Sequence, residues 1–263
     1  MRFTFYKYQG TGNDFIILDN RSMTFERDNH ELVRQFCDRR FGIGADGLML
    51  LQSHNGFSFE MVYYNSDGNE SSMCGNGGRC ITAFAKSRGL FETNASFLAV
   101  DGPHEAIIGE TVGGSVMVKL KMNDVSHVEN NGDYIFLDTG SPHYVRFEKK
   151  AAEVDVYNEG RKIRYSDTFG EKGTNVNFVE RTETGLFVRT YERGVEDETY
   201  SCGTGVTAAV LGAFATGKLK ETSCRVSTLG GELTVYFTPD KGGFTNIWLE
   251  GPVTCVYNGE INV

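Results

Sequence analysis

Positive charge is in short supply. Lys and Arg number 26 against 35 Asp and Glu, for a formal net charge of −9 and a pI near 5.1. Nucleic acid and anionic membrane surfaces would repel such a chain, and neither finds a basic patch to bind. Proline is rare, at four residues, whereas glycine reaches 32. That contrast predicts many tight turns and close backbone approaches. Long apolar runs are missing too: the most apolar stretch, Ala208 to Ala215, is far short of the roughly 20 residues a membrane-spanning helix needs. The opening MRFTFYKYQG has neither the apolar core of a secretory leader nor the Arg/Ser-rich pattern of a transit peptide. Six cysteines in a chain of this size are too few for a disulfide scaffold, so reduced thiols in the cytoplasm are expected. There is no CxxC pair, Cys74 and Cys80 are six apart, and the five histidines are scattered. Metal spacing is absent, and no metal is expected.

What remains is a globular composition. Hydrophobic residues make up 40% and aromatics 12% of 263 residues, ample for a core and incompatible with general disorder. The length fits one large or two modest domains. Short aromatic and aliphatic segments bounded by Gly, Asn or Asp read as strands: Phe3 to Tyr8, Phe15 to Leu18, Leu48 to Leu51, Phe57 to Tyr64, Ser115 to Leu120, Leu186 to Tyr191, Glu232 to Phe237 and Thr245 to Leu249. Helical periodicity is clear over Asn29 to Arg39, Arg79 to Ser87 and Val206 to Thr216. The last two are small and apolar nearly all round, which predicts helices buried against sheets.

Those two helices expose a repeat. Cys74-Gly75-Asn76-Gly77 leads into one and Cys202-Gly203-Thr204-Gly205 into the other, and they stop at Gly89 and Gly217 after the same interval. Each follows an apolar strand (FSFEMVYY, LFVRTY) and a polar, acidic loop (NSDGNESS, EDETYS). Two halves of similar build are therefore expected, with a boundary near Met122 to Gly132 and a functional cleft between them.

A cysteine just before a buried helix stands at the positive end of the helix dipole, which favours thiolate. The glycines let backbone N–H groups approach an anion such as a carboxylate or a developing oxyanion. One such turn suggests a nucleophile. Two equivalent turns suggest a base on one face of a carbon and an acid on the other, the arrangement that stereoinversion requires. Cys37, Cys80, Cys224 and Cys255 are read as structural thiols. Gly42-Ile43-Gly44-Ala45-Asp46-Gly47 is a literal GxGxxG, but it follows a charged helical segment and precedes an apolar one, the reverse of a dinucleotide site.

MCGNGGRC at 73–80 and YERGVEDETYSCGTG at 191–205 resemble the two signature motifs of the diaminopimelate epimerase family. QGTGNDFIILD at 9–19, FGIGADG at 41–47, YNSDG at 64–68, SPHYV at 141–145 and GTNVNFV at 173–179 are similar to further blocks of that family in the same order. The resemblance implies an α+β fold of two pseudosymmetric halves, each a mixed sheet wrapped around a central helix. It places residues 1–123 in the first half, with 252–263 returning to it, and 124–251 in the second. It also implies interconversion of LL- and meso-diaminopimelate in lysine and peptidoglycan precursor biosynthesis, without pyridoxal phosphate or metal, by a cytoplasmic homodimer. Cys74 and Cys202 would be the acid–base pair, partnered by His143 and Glu192 respectively. Gly75, Asn76, Gly203 and Thr204 would hold the reacting carboxylate, and Asn13 would sit near the reacting amine. Asn65, Asn175, Glu192 and Arg193 would fix the distal end. Two positions depart from the family pattern, where some members carry Gln at Gly47 and Asn at Ser141. Rival readings are a proline racemase-like enzyme, a phenazine-biosynthesis-type isomerase, which lacks the two thiols, and a non-catalytic amino-acid-binding or redox-sensing protein.

Overall fold

A computed structural model describes residues 1–263. The chain divides into two compact units, Met1–Leu120 with Gly251–Val263, and Lys121–Glu250. The first contains β1 (Arg2–Gly10), β2 (Asn13–Asp19), α1 (His30–Cys37), β3 (Gly47–Gln52), β4 (Phe59–Asn65), α2 (Gly75–Ser87), β5 (Asn94–Ala99), β6 (Gly102–Val112) and β7 (Ser115–Lys121). The second contains β8 (Glu129–Asn130), β9 (Ile135–Asp138), β10 (Pro142–Glu148), α3 (Val156–Arg164), β11 (Asn175–Arg181), β12 (Leu186–Glu192), β13 (Asp197–Thr199), α4 (Gly203–Ala215), β14 (Ser223–Thr228) and β15 (Gly231–Asp240). The last strand, β16 (Gly243–Asn262), begins in the second unit and ends in the first, where it pairs antiparallel with β1.

The repeat seen in the sequence extends to strand sense. From β1 to β7 successive pairings run antiparallel, parallel, antiparallel, parallel, antiparallel, antiparallel. From β9 to β16, with β13 aside, the order is the same. Every parallel step needs a crossover, and a helix supplies each one: α1 and α3 at the first step, α2 and α4 at the second. Even β13, which pairs with β12, has a counterpart in the isolated bridge between Tyr64 and Glu70.

Helices on both faces explain why β2 and β3 read as unbroken apolar runs. On one face Ile16, Leu18, Leu48 and Leu50 cluster with Val33 and Phe36 of α1. On the other, Phe15, Met49 and Met61 lie within 3.6 Å of where a Cβ on Gly77 of α2 would stand. In the second unit Tyr144, Val176, Phe178 and Tyr191 pack with Val156 of α3, while α4 contacts β9, β10, β11, β12 and β15. Both central helices are buried almost throughout, each wrapped by the strands of its own unit. They begin at Gly75 and Gly203, several residues before the helical periodicity becomes legible. Glycine is a poor helix former, and burial overrides that preference here. The ends fall where expected, with Gly89 and Gly217 at φ +74° and +70°, the left-handed C-terminal position.

Helix α3 has no counterpart in the sequence reading because Gly160 interrupts a short polar segment. A Cβ on Gly160 would stand 2.4 Å from the Tyr191 Cβ, so close packing on β12 demands the glycine. No helix of the structure is long and apolar enough to cross a membrane. No group of three or more His, Cys, Asp or Glu is placed to hold a metal ion.

Candidate active site

Cys74 is the N-cap of α2, in extended backbone geometry, and no side chain caps that helix. The positive end of the dipole and the amide of Gly75 are thus left facing the turn. Asn13, near the start of β2, ties the turn to the sheet. Its Oδ1 accepts from the Cys74 thiol at 3.7 Å and from Asn76 Nδ2 at 3.3 Å. Its Nδ2 donates to Asp46 Oδ2 at 2.6 Å. Asp46 also pairs with Arg39, which forms a two-pronged bond to Asp14, and Lys7 completes the group against Asp14 at 2.7 Å. Burial alone would raise the Asp14 carboxyl, but the Arg39 and Lys7 hydrogen bonds prevail and hold it down at about 2. The GxGxxG segment therefore orients Asn13 through Asp46. Asn65 ends β4, exposed, directly opposite Gly47 in the β3–β4 ladder. At Gly47 a Cβ would meet the Tyr64 carbonyl at 2.5 Å and Tyr63 Cε2 at 2.6 Å, so the Tyr63 ring fills the place a longer side chain would take.

Arg79 is the largest fully buried side chain. Its Nη2 donates to Asn76 Oδ1 at 3.0 Å and Thr11 Oγ1 at 3.2 Å, while Nε and Nη1 have no partner. Cys80 beside it is completely buried, and burial pushes its thiol far up. The Cys37 thiol is pushed up to about 12 and Cys224 to about 11 by the same cause. No two of the six cysteines are joined in a disulfide.

In the second unit Cys202 occupies the equivalent N-cap of α4, again with no side-chain cap, and its Sγ lies 3.4 Å from Thr204 Oγ1. Thr139 Oγ1 donates to the Thr204 carbonyl at 3.0 Å, steadying the turn. Glu192 and Arg193 stand at the end of β12. Glu192 Oε2 accepts from Thr199 Oγ1 at 2.9 Å. The Arg193 guanidinium reaches the Lys172 carbonyl at 3.2 Å and Ser141 Oγ at 3.3 Å, with no carboxylate among its partners. Asn175, nearly buried, donates to Ser141 Oγ at 2.8 Å and accepts from the Arg193 amide at 2.9 Å. Ser141 is thus the meeting point of Asn175 and Arg193. His143 is fully buried on β10, with Asn177 Nδ2 3.1 Å from its Nδ1. Burial, and then the charge of Arg193, push the imidazole down to about 3.

Within the first unit, then, Cys74, Asn13, Gly75 and Asn76 come together. Within the second, Asn175 and Arg193 share Ser141, and Cys202, Gly203 and Thr204 form one turn. Asp46, Arg79 and Asn177 belong to these networks but are not singled out by the sequence. Asp46 hides in a Gly-rich decoy, Arg79 in a helical run, and Asn177 in a block whose other asparagine draws attention first.

The fold is shared with solved structures. A Bacillus anthracis phenazine biosynthesis protein of the PhzF family superposes with a TM-score of 0.81 at 14% identity, covering 100% of both chains. A probable proline racemase from Agrobacterium radiobacter gives 0.71 at 15%, covering 99% of this chain and 93% of its own. The family model described as diaminopimelate epimerase matches residues 5–137 and 135–256. The diaminopimelate epimerase of Flavobacterium psychrophilum is 51% identical over 257 residues, 97% of this chain and 99% of that one. The protein is accordingly an enzyme, an isomerase of the epimerase class. Its α+β architecture of strands wrapped around buried helices is the one those solved structures share. The chain belongs to the diaminopimelate epimerase family.

Proposed function

We propose that the enzyme interconverts LL- and meso-diaminopimelate by inversion at one α-carbon, with Cys74 and Cys202 exchanging the roles of base and acid, in lysine and peptidoglycan precursor biosynthesis. The observation that carries this reading is the duplication: each unit presents one thiol as the uncapped N-cap of a buried helix. Removal of an α-proton leaves negative charge on the substrate carboxylate. Amides at a helix start, with Gly75 and Asn76 in one unit and Gly203 and Thr204 in the other, suit that charge. One thiolate takes the proton and the opposite thiol returns one to the other face, so neither is permanently acid or base. Asn13 would receive the reacting amine. Arg193, which has no carboxylate of its own, would take the distal carboxylate together with Asn65 and Asn175, and Glu192 the distal ammonium. His143 and Glu192 would complete the catalytic group beside the thiols. The reading needs no cofactor and assigns the two halves as 1–123 with 252–263, and 124–251. Likeness to the family adds a cytoplasmic homodimer.

The test is incubation of purified, reduced protein with LL-diaminopimelate in deuterated water. Formation of the meso isomer with deuterium at the α-position is expected. No exchange and no interconversion would reject the reading in favour of a binding protein, and turnover of proline would favour the racemase alternative. Cys74→Ala and Cys202→Ala should each lower interconversion by at least ~1,000-fold, since one-sided proton transfer cannot invert a centre.

A further inference from the structure

The two ring nitrogens of His143 have different surroundings. Nδ1 is 3.1 Å from Asn177 Nδ2, whereas Nε2 is buried and has no hydrogen-bond partner. Which way the Asn177 amide points decides what the first contact means. The same Nδ2 lies 2.9 Å from the Tyr144 carbonyl, an atom that only accepts. Oδ1 receives the Thr190 hydroxyl at 3.0 Å. Turning the amide over would set Oδ1 against the Tyr144 carbonyl. Both Asn177 protons are therefore committed as donors, one to Tyr144 and one to His143 Nδ1.

An accepting Nδ1 bears no proton, so the single proton of the neutral ring sits on Nε2. A second proton on Nδ1 would aim one N–H at another. The charged group acting on the ring is the Arg193 cation from the end of β12, and Asn177 from β11 is its one hydrogen-bond partner, a neutral amide. Cys202, at the head of α4, lies across Gly205 from the amide. A Cβ on Gly205 would stand 2.4 Å from Asn177 Oδ1 and 3.4 Å from Cys202 Cβ. The first turn of α4 is built around that amide.

From these contacts we infer that Asn177 is a positioning residue. It locks His143 as the neutral tautomer protonated on Nε2, which makes His143 a hydrogen-bond donor to an anionic acceptor and not a proton-accepting base. A buried N–H without a protein partner costs free energy unless something else accepts from it. A substrate carboxylate or a thiolate would do so. This inference rests on the reading that His143 belongs to the epimerase site, but the lock itself is independent of turnover.

The experiment is a long-range ¹H–¹⁵N correlation spectrum of labelled, reduced protein. With five histidines in the chain, comparison with His143→Gln identifies the ring. Nδ1 should be pyridine-type and Nε2 pyrrole-type, without titration between about pH 5 and 8. A proton on Nδ1, or a midpoint inside that range, overturns the inference. In a second arm, Asn177→Asp replaces the donor with an acceptor. It should reverse the tautomer or bring ring protonation into the same range, with kcat lowered roughly 100-fold and KM little changed. An Asn177→Asp enzyme with undiminished kcat and an unchanged ring overturns it as well. If that variant does not fold, the unmodified protein's spectrum decides alone. A pyrrole-type Nε2 in a protein that leaves diaminopimelate unchanged defeats only the proposed function. An active epimerase protonated on Nδ1 defeats only the positioning role.

Discussion

Single side chains differ in how openly they declare their work. Cys74 and Cys202 are legible because each precedes a glycine pair and a helix, and the second copy makes chance an unattractive explanation. Ser141 is not legible in that way, since a serine before Pro142 reads as an ordinary turn. In the structure it accepts hydrogen bonds from Asn175 and Arg193. Ser141→Ala should therefore loosen the distal end, raising KM for diaminopimelate about 10-fold, or about 1.4 kcal/mol, while kcat changes little. Steady-state kinetics with unchanged KM would show that Arg193 is positioned by other contacts. Gly47 makes the opposite point. Its departure from the family pattern is accommodated by Tyr63 and the Tyr64 carbonyl, which leave no space for a side chain. Gly47→Ala is expected to destabilise the protein by about 1–3 kcal/mol, read as a lowered denaturation midpoint in urea.

At the level of elements, the peripheral and central helices are stabilised differently. Helices α1 and α3 have ordinary caps: Asn29 Oδ1 accepts from the Leu32 amide at 3.1 Å and Asp155 Oδ1 from the Asn158 amide at 3.2 Å. Asn29→Ala and Asp155→Ala should each cost about 1 kcal/mol in chemical denaturation and leave activity intact. Helices α2 and α4 have no such cap. Cysteine stands in its place, and burial in the sheet, not capping, stabilises the helix. That contrast explains which boundaries were readable. The C-terminal stops at Gly89 and Gly217 follow from local backbone chemistry. The starts at Gly75 and Gly203, like α3 as a whole, depend on contacts with strands distant in sequence.

For the whole molecule the sharpest expectation concerns acid. His143 has a folded pKa of about 3, below its ordinary value near 6.5. Between those values the unfolded chain binds a proton that the native state refuses. The associated stability is complete above about pH 6.5 and falls by about 1.4 kcal/mol per pH unit below it. Asp14, held down at about 2, adds a further loss below about pH 3.8 in the same direction. Urea denaturation at about pH 7, 6 and 5, across the histidine range, should give falling midpoints, and His143→Gln should flatten the trend. A pH-independent midpoint in the unmodified protein would mean that the ring is solvated. The alternation of apolar segments, the paired Cys-Gly turns, the acidic balance and the duplicated plan were all determined by the sequence alone, because periodicity, turn chemistry and charge are local properties of a chain. Only tertiary structure decided that Asp46 orients Asn13, that Arg79 lies buried with two of its three guanidinium nitrogens lacking a hydrogen bond, and that Asn177 faces His143. Those relations depend on which strands lie side by side and on how much water is excluded there, and burial is a property of the folded whole.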